Sequence, residues 1–154
     1  MENEKLEYVG FWARLGATFL DAVLILVITY PLIFIIYGDE YFSSDDILQG
    51  PADFFISYIL PAVAVIWFWY ARQATPGKLA IGARIVDAKS GNAPTIGQLI
   101  GRYFAYILSA IPLGLGYIWV AFDSKKQGWH DKLAGTVVVR LKDRQPRKVE
   151  FNDT

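Results

Sequence analysis

No cysteine stands anywhere in the chain, so a disulfide framework, a cysteine zinc site and thiol chemistry are all excluded. Histidine occurs once, as His130 next to Asp131. Neighbouring residues on a helix point in different directions, and no nucleophile is paired with the imidazole in sequence, so His130 reads as an interfacial structural group. No enzymatic activity is expected. Thr75-Pro76-Gly77-Lys78 lacks the first glycine of a phosphate-binding loop and continues with Leu79, which argues against nucleotide binding. The stretch 38–53 has no Lys or Arg, yet its Asp39, Glu40, Asp45, Asp46 and Asp53 lack the spacing and closing Glu of an EF-hand. It reads as a solvated acidic loop, with no metal or other cofactor expected. Met1 to Tyr8 carries three Glu and one Lys, and no small-residue cleavage site follows the first apolar run. That run is therefore expected to remain in the mature protein.

Apolar residues are plentiful: the composition is 54% hydrophobic and 16% aromatic, with a mean hydropathy of +0.30. One small integral membrane domain fits this composition better than a soluble one. Leu15 to Tyr37 contains one charge, Asp21, and exceeds the ~20 residues that a helix rising ~1.5 Å per residue needs to cross a hydrocarbon core. Arg14, just outside, can snorkel, whereas Asp21 is too short to do so and needs a partner within the protein. On one helix the two lie on one face but roughly 10 Å apart. Asp21 is read either as a staple to a basic group, with Arg14 and Arg102 the suspected partners, or as a proton, ion or ligand site.

Phe54 to Tyr70 is a second spanning run, ending in an aromatic belt, with a bend expected at Pro61. Residues 71–102 then carry Arg72, Lys78, Arg84, Lys89 and Arg102 against Asp87 alone. The excess of basic residues places this stretch in the cytoplasm, the acidic loop outside and the N-terminus inside. Thr95 is positioned to cap a helix starting at Ile96. The third apolar stretch, Tyr103 to Phe122, is interrupted by Pro112, Gly114 and Gly116, and either spans or re-enters. Two arguments favour re-entry. Residues 123–154 carry eight Lys or Arg against five acids, and Gly135 to Leu141 reads as a strand whose short partner is Ala80 to Asp87. Ile81, Ile85, Val137 and Val139 are expected to pack between these strands and the helices. Residues 1–10 are expected to fray, and 142–154 form a charged tail that favours the cytoplasmic face.

The predicted fold is thus mainly α and membrane-integral, with two transmembrane helices, a broken third apolar segment and a two-stranded cytoplasmic element. At this point the chain resembles the RDD family of bacterial and archaeal membrane proteins. The resemblance rests on Gly10-Phe11-Trp12-Ala13-Arg14-Leu15 with Asp21, on Thr75-Pro76-Gly77-Lys78 leading to Arg84-Ile85-Val86-Asp87, on Pro112-Leu113-Gly114-Leu115-Gly116, on Phe122-Asp123, and on His130 to Thr136. It covers residues 8–141. Arg14 and Asp21 correspond to the family's arginine and first aspartate; Asp123 and Asp131 are the candidates for the second, and Asp131 sits in the fuller motif. The resemblance implies an integral membrane protein, with transport of unidentified ligands the usual suggestion and some members linked to sodium/proton exchange; the expected location is the cell (inner) membrane.

Two functional readings follow. In one, a buried carboxylate serves ion or small-solute transport, and three short apolar segments imply a homo-oligomer or a membrane-protein partner. In the other, Arg14, Arg102, His130 and the aspartates form an architectural network in a non-transporting scaffold. The expected surroundings are the lipid bilayer, and no nucleic-acid partner is expected.

Overall fold

The structure, a computed structural model, describes residues 6–142. In chain order the elements are β1 (Leu6–Tyr8), α1 (Phe11–Tyr37), α2 (Glu40–Ser43), α3 (Pro51–Phe54), a π-helical turn (Phe55–Ile59), α4 (Leu60–Arg72), α5 (Pro76–Ala80), β2 (Arg84–Asp87), α6 (Ile96–Ala110), α7 (Leu115–Ile118), α8 (Trp129–Ala134) and β3 (Thr136–Leu141). Most of the charged tail lies outside the described residues.

The helix α1 and the helical stretch Pro51–Ala80 are each long and apolar enough to cross a membrane. Pro31 sits inside α1 without ending it; the helix stops at Gly38, whose left-handed φ of 69° suits a residue without a Cβ. Just before Pro61, where a bend is expected, the helix is wound as a π-helical turn. A proline ring clashes with the carbonyl four residues back, here Ser57, and widening the helix to π geometry around Ser57 relieves that clash. Thr95 caps α6 as expected: its hydroxyl accepts from the Gln98 N–H at 3.2 Å while the Gln98 side chain accepts from the Thr95 N–H at 2.9 Å. The third apolar segment is broken, α6 and the helical turns Leu115–Ala121 lying at 112° to each other. Leu113 and Gly114 make the corner with φ of 54° and 75°.

Among the described residues the sheet has three strands, not two, in the order β1-β3-β2, with both pairs antiparallel. The unexpected strand is Leu6–Tyr8, which is paired rather than frayed; Glu7 faces Arg140 in the register and bonds its guanidinium at 2.5 Å. Strand β2 is shorter than expected because residues up to Ala80 belong to α5 and Gly82 turns the chain with φ of 66°. The register also corrects the packing. Ile85 stands opposite Val138, and these two join Val9, Trp69, Ala83 and Leu99 in the main core. Val137 and Val139 occupy the other face with Val86, because successive strand residues point to opposite sides. Ile81 packs against the main core.

The acidic loop is also more ordered than a solvated loop would be. Asp53 is buried, and accepts from Tyr41 Oη at 2.8 Å, Ser57 Oγ at 2.7 Å and the Gln49 N–H at 3.0 Å.

Helix α5 crosses α1 closely at Gly77, where a Cβ would lie 2.0 Å from the Ala17 carbonyl oxygen. Gly77→Ala should therefore destabilise the protein by about 1–3 kcal/mol, since backbone rather than a side chain has to move. Gly101→Ala in α6, where a Cβ meets nothing within 4 Å, should stabilise by about 0.5–1 kcal/mol through helix propensity. Melting of the two variants in mild detergent checks this; equal midpoints would contradict the close crossing.

Candidate functional site

Asp131 is the third residue of α8 and is fully buried. One carboxylate oxygen, Oδ2, accepts from the Gly128 N–H at 2.9 Å, which ties the start of α8, and from Arg14 Nη1 at 2.6 Å. The other, Oδ1, accepts from Arg102 Nη1. Both arginines are committed further. Arg14 donates from Nε to the Val9 carbonyl at 2.9 Å and from Nη2 to the Lys126 carbonyl at 2.5 Å. Arg102 donates to Thr136 Oγ1 at 2.6 Å, and its guanidinium carbon lies 5.3 Å from the Trp69 ring centre and 5.6 Å from that of Tyr106, within reach of both ring quadrupoles. Burial pushes the Asp131 carboxyl up, but Arg102 and Arg14 outweigh it and hold the group well below the usual carboxylate range.

Asp21 takes no part in this cluster. It accepts from Thr75 Oγ1 at 2.5 Å and from the Gly77 N–H at 2.7 Å, so its role is to receive the first turn of α5. The expected pairing with Arg14 or Arg102 is not formed; both guanidiniums bind Asp131 instead. Asp123 is separate again, bonding Lys132 Nζ at 2.5 Å and accepting from the N–H groups of Lys125 and Gln127. The structure therefore joins Arg14, Arg102 and Asp131, sets His130 beside them, and leaves Asp21 and Asp123 to local duties.

The His130 ring stacks on Tyr106 with centroids 4.0 Å apart, and its Nδ1 lies 3.3 Å from Ser109 Oγ. Burial, opposed by Asp131 and assisted by Arg102, Arg14 and Lys78, lowers the His130 pKa to about 3. Ser109, His130 and Asp131 stand in a row without making a hydrolytic triad. Ser109 is wholly buried and donates to the Ala105 carbonyl at 3.0 Å. Gly116 closes over it so tightly that a Cβ there would lie 2.8 Å from Ser109 Oγ. Asp131 is already held by two guanidiniums.

Beside this cluster lies a cavity of about 360 Å³. Arg14, Lys78, Tyr106 and His130 supply its polar side. In the sequence Lys78 reads only as part of a failed phosphate loop and of a basic stretch; what Thr75-Pro76-Gly77-Lys78 provides is a short helix, pinned by Asp21, that carries Lys78 inward. Lys78 is only 4% exposed, and among the described residues its ammonium makes one long hydrogen bond, 3.5 Å to Thr75 Oγ1.

The sequence model of the RDD family matches residues 8–135. The chain is 33% identical over 148 residues to the uncharacterized protein YxaI of Bacillus subtilis (strain 168), a match covering 84% of this chain and 95% of that one. It is 30% identical over 146 residues to the uncharacterized membrane protein YteJ of the same organism, covering 88% and 82% respectively. A shorter match, 47% identical over 75 residues, joins 49% of the chain to 41% of the uncharacterized protein RP437 of Rickettsia prowazekii (strain Madrid E). No solved structure matches the chain.

The depressed His130 pKa makes stability depend on pH. Between about pH 6.5 and about 3, unfolded His130 binds a proton that the folded protein refuses, so acid favours unfolding, by up to about 1.4 kcal/mol per pH unit. The melting midpoint in mild detergent should fall as pH drops from 6.5 to 4.5, and His130→Gln should flatten that fall. Identical slopes in the two proteins would contradict a buried neutral imidazole.

Proposed function

The chain belongs to the RDD family, and from that premise we propose that it is a multi-pass protein of the bacterial inner membrane that binds a small solute in the cavity beside Asp131 and acts as a component of small-solute transport. The observation that carries this reading is the cavity itself: about 360 Å³, mostly apolar, with Lys78 as a buried cation facing it. Ligand clefts run from ~300 to ~1,000 Å³ and combine apolar walls with a few polar groups.

Charge sorting together with the sheet supports an orientation. Strand β1 precedes α1, β2 follows α4, and β3 follows the broken segment. If α1 and the second long helical stretch both cross, then β1 and β2 lie on one side and hold β3 there, so the broken segment enters and returns by the same face. Both termini are then cytoplasmic, and the irregular backbone at Ile111–Gly114 is a corner of the re-entrant segment.

Cation exchange through a carboxylate is a weaker version of the transport reading, since Asp131 is held by two guanidiniums and Asp21 by Thr75 and Gly77. The same contacts favour an architectural role for the Arg/Asp network within a solute-binding protein. Asp131, in contact with Arg14, is our choice for the family's second aspartate. The sealed Ser109 supports a non-enzymatic role. The bare apolar faces of α1, where Val27 is 64% and Ile35 78% exposed, suit contact with lipid; an oligomer or membrane-protein partner belongs to this reading because three short apolar segments are few for a transport pathway.

The test is a thermal-shift panel of small acids, bases and neutral solutes in mild detergent on the wild type and on Ile118→Trp, which fills the cavity. At a ligand concentration of ~100 times Kd, a solute class that binds should raise the wild-type midpoint by roughly 5 °C and leave the filled variant unmoved. No shift with any class would overturn the solute-binding reading.

A further inference from the structure

We propose that the cavity takes a single-chain acidic amphiphile, its anionic head group on Lys78 Nζ and its apolar body along Leu15, Leu113 and Ile118. This inference rests on the solute-binding reading and names the class of solute.

Two independent features converge on it. The first is the polar floor. Lys78 presents three N–H donors and is 4% exposed, with one long contact of 3.5 Å to a hydroxyl that itself donates to Asp21. Among the described residues no carboxylate forms an ion pair with it. Asp131, the buried acid of the neighbouring cluster, is already shared by Arg14 and Arg102. The surroundings of the cavity therefore carry an excess of positive charge, and an ammonium removed from water without an anion is costly.

The second feature is the mouth. Leu113 is 95% exposed, Leu15 49% and Ile118 42%; Leu15 lies on a helix of membrane-crossing length. The opening is thus lined by side chains that face lipid. An inorganic anion satisfies the floor and leaves these walls bare, while an uncharged lipid covers the walls and leaves the ammonium without a partner. An acid on one alkyl chain does both. A cavity of about 360 Å³ is at the small end of ligand clefts, which favours one chain over two.

The experiment uses the full chain in nanodiscs of neutral phosphatidylcholine, with cis-parinaric acid as the probe and energy transfer from tryptophan as the signal. Saturable binding is expected, displaced by dodecanoate or dodecyl phosphate and not by dodecanol, acetate or inorganic phosphate. Lys78→Met should weaken binding roughly 10-fold or more, the size of a lost charged hydrogen bond, and Lys78→Arg should largely restore it. Ile118→Trp, with Lys78 intact, should abolish it. Should Lys78→Met fail to fold, the comparison of dodecanoate with dodecanol on the wild type still decides the matter. Equal displacement by dodecanol and dodecanoate overturns the acidic class and leaves a solute-binding cavity standing. The same follows if parinaric acid does not bind while another solute class raises the melting midpoint. Parinaric acid binding that Ile118→Trp leaves unchanged overturns the proposal, because the site is then elsewhere; the solute-binding reading falls with it if no solute class raises the melting midpoint.

Discussion

A single buried carboxylate between two guanidiniums is the constraint on which the arrangement of this chain depends. Asp131 on α8 holds Arg14 of α1 and Arg102 of α6. Through Arg14 it reaches the Val9 and Lys126 carbonyls, and through Arg102 it reaches Thr136 at the start of β3. Residues more than a hundred positions apart in sequence are joined by one side chain. Such a cluster is a poor source of net stability, because the cost of taking three charges out of water offsets much of their attraction. Its value is selectivity: an alternative docking of α8 strands two arginines in an apolar interior, and few compact arrangements avoid that penalty.

The second acid works differently. Asp21 binds a hydroxyl and a backbone N–H at the start of α5, and Gly77 lets that turn lie against the α1 backbone. The consequence falls on Lys78, the next residue, which is carried to the cavity wall. Arg14 and Asp131 thus fix the framework while Asp21 aims a cation, which gives these three charged residues separate tasks. On this account the functional group is the lysine they position, and not the acids.

Much of this was legible in the sequence. The two long apolar runs, the Thr95 cap and the break at Pro112 to Gly116 all follow from hydropathy and capping chemistry. The partner of Asp21 was not legible, because spacing within one helix says which residues share its face and nothing about which backbone lies across it. Strand β1 escaped notice because three residues beside a charged terminus carry almost no periodicity; its signal is a pairing, Glu7 with Arg140, visible only once the sheet is formed. The inward face of β3 was misassigned since Val137, Val138 and Val139 are chemically alike, and only the register with Ile85 chooses among them. Asp53, in a loop rich in acids, gave no sign that it alone is buried and bonded by tyrosine and serine hydroxyls.

The most direct measurement of the central claim is a pair of double-mutant cycles on reversible unfolding in mild detergent, one joining Arg14→Gln with Asp131→Asn and the other joining Arg14→Gln with Asp21→Asn. The Asp131 cycle should show a coupling of about 1.5 kcal/mol or more, within the 0.5–3 kcal/mol seen for residues in one network, and Asp131→Asn alone should cost about 3–5 kcal/mol by leaving two buried cations uncompensated. The Asp21 cycle should show coupling below about 0.5 kcal/mol. Strong coupling of Arg14 to Asp21 with none to Asp131 would contradict the account.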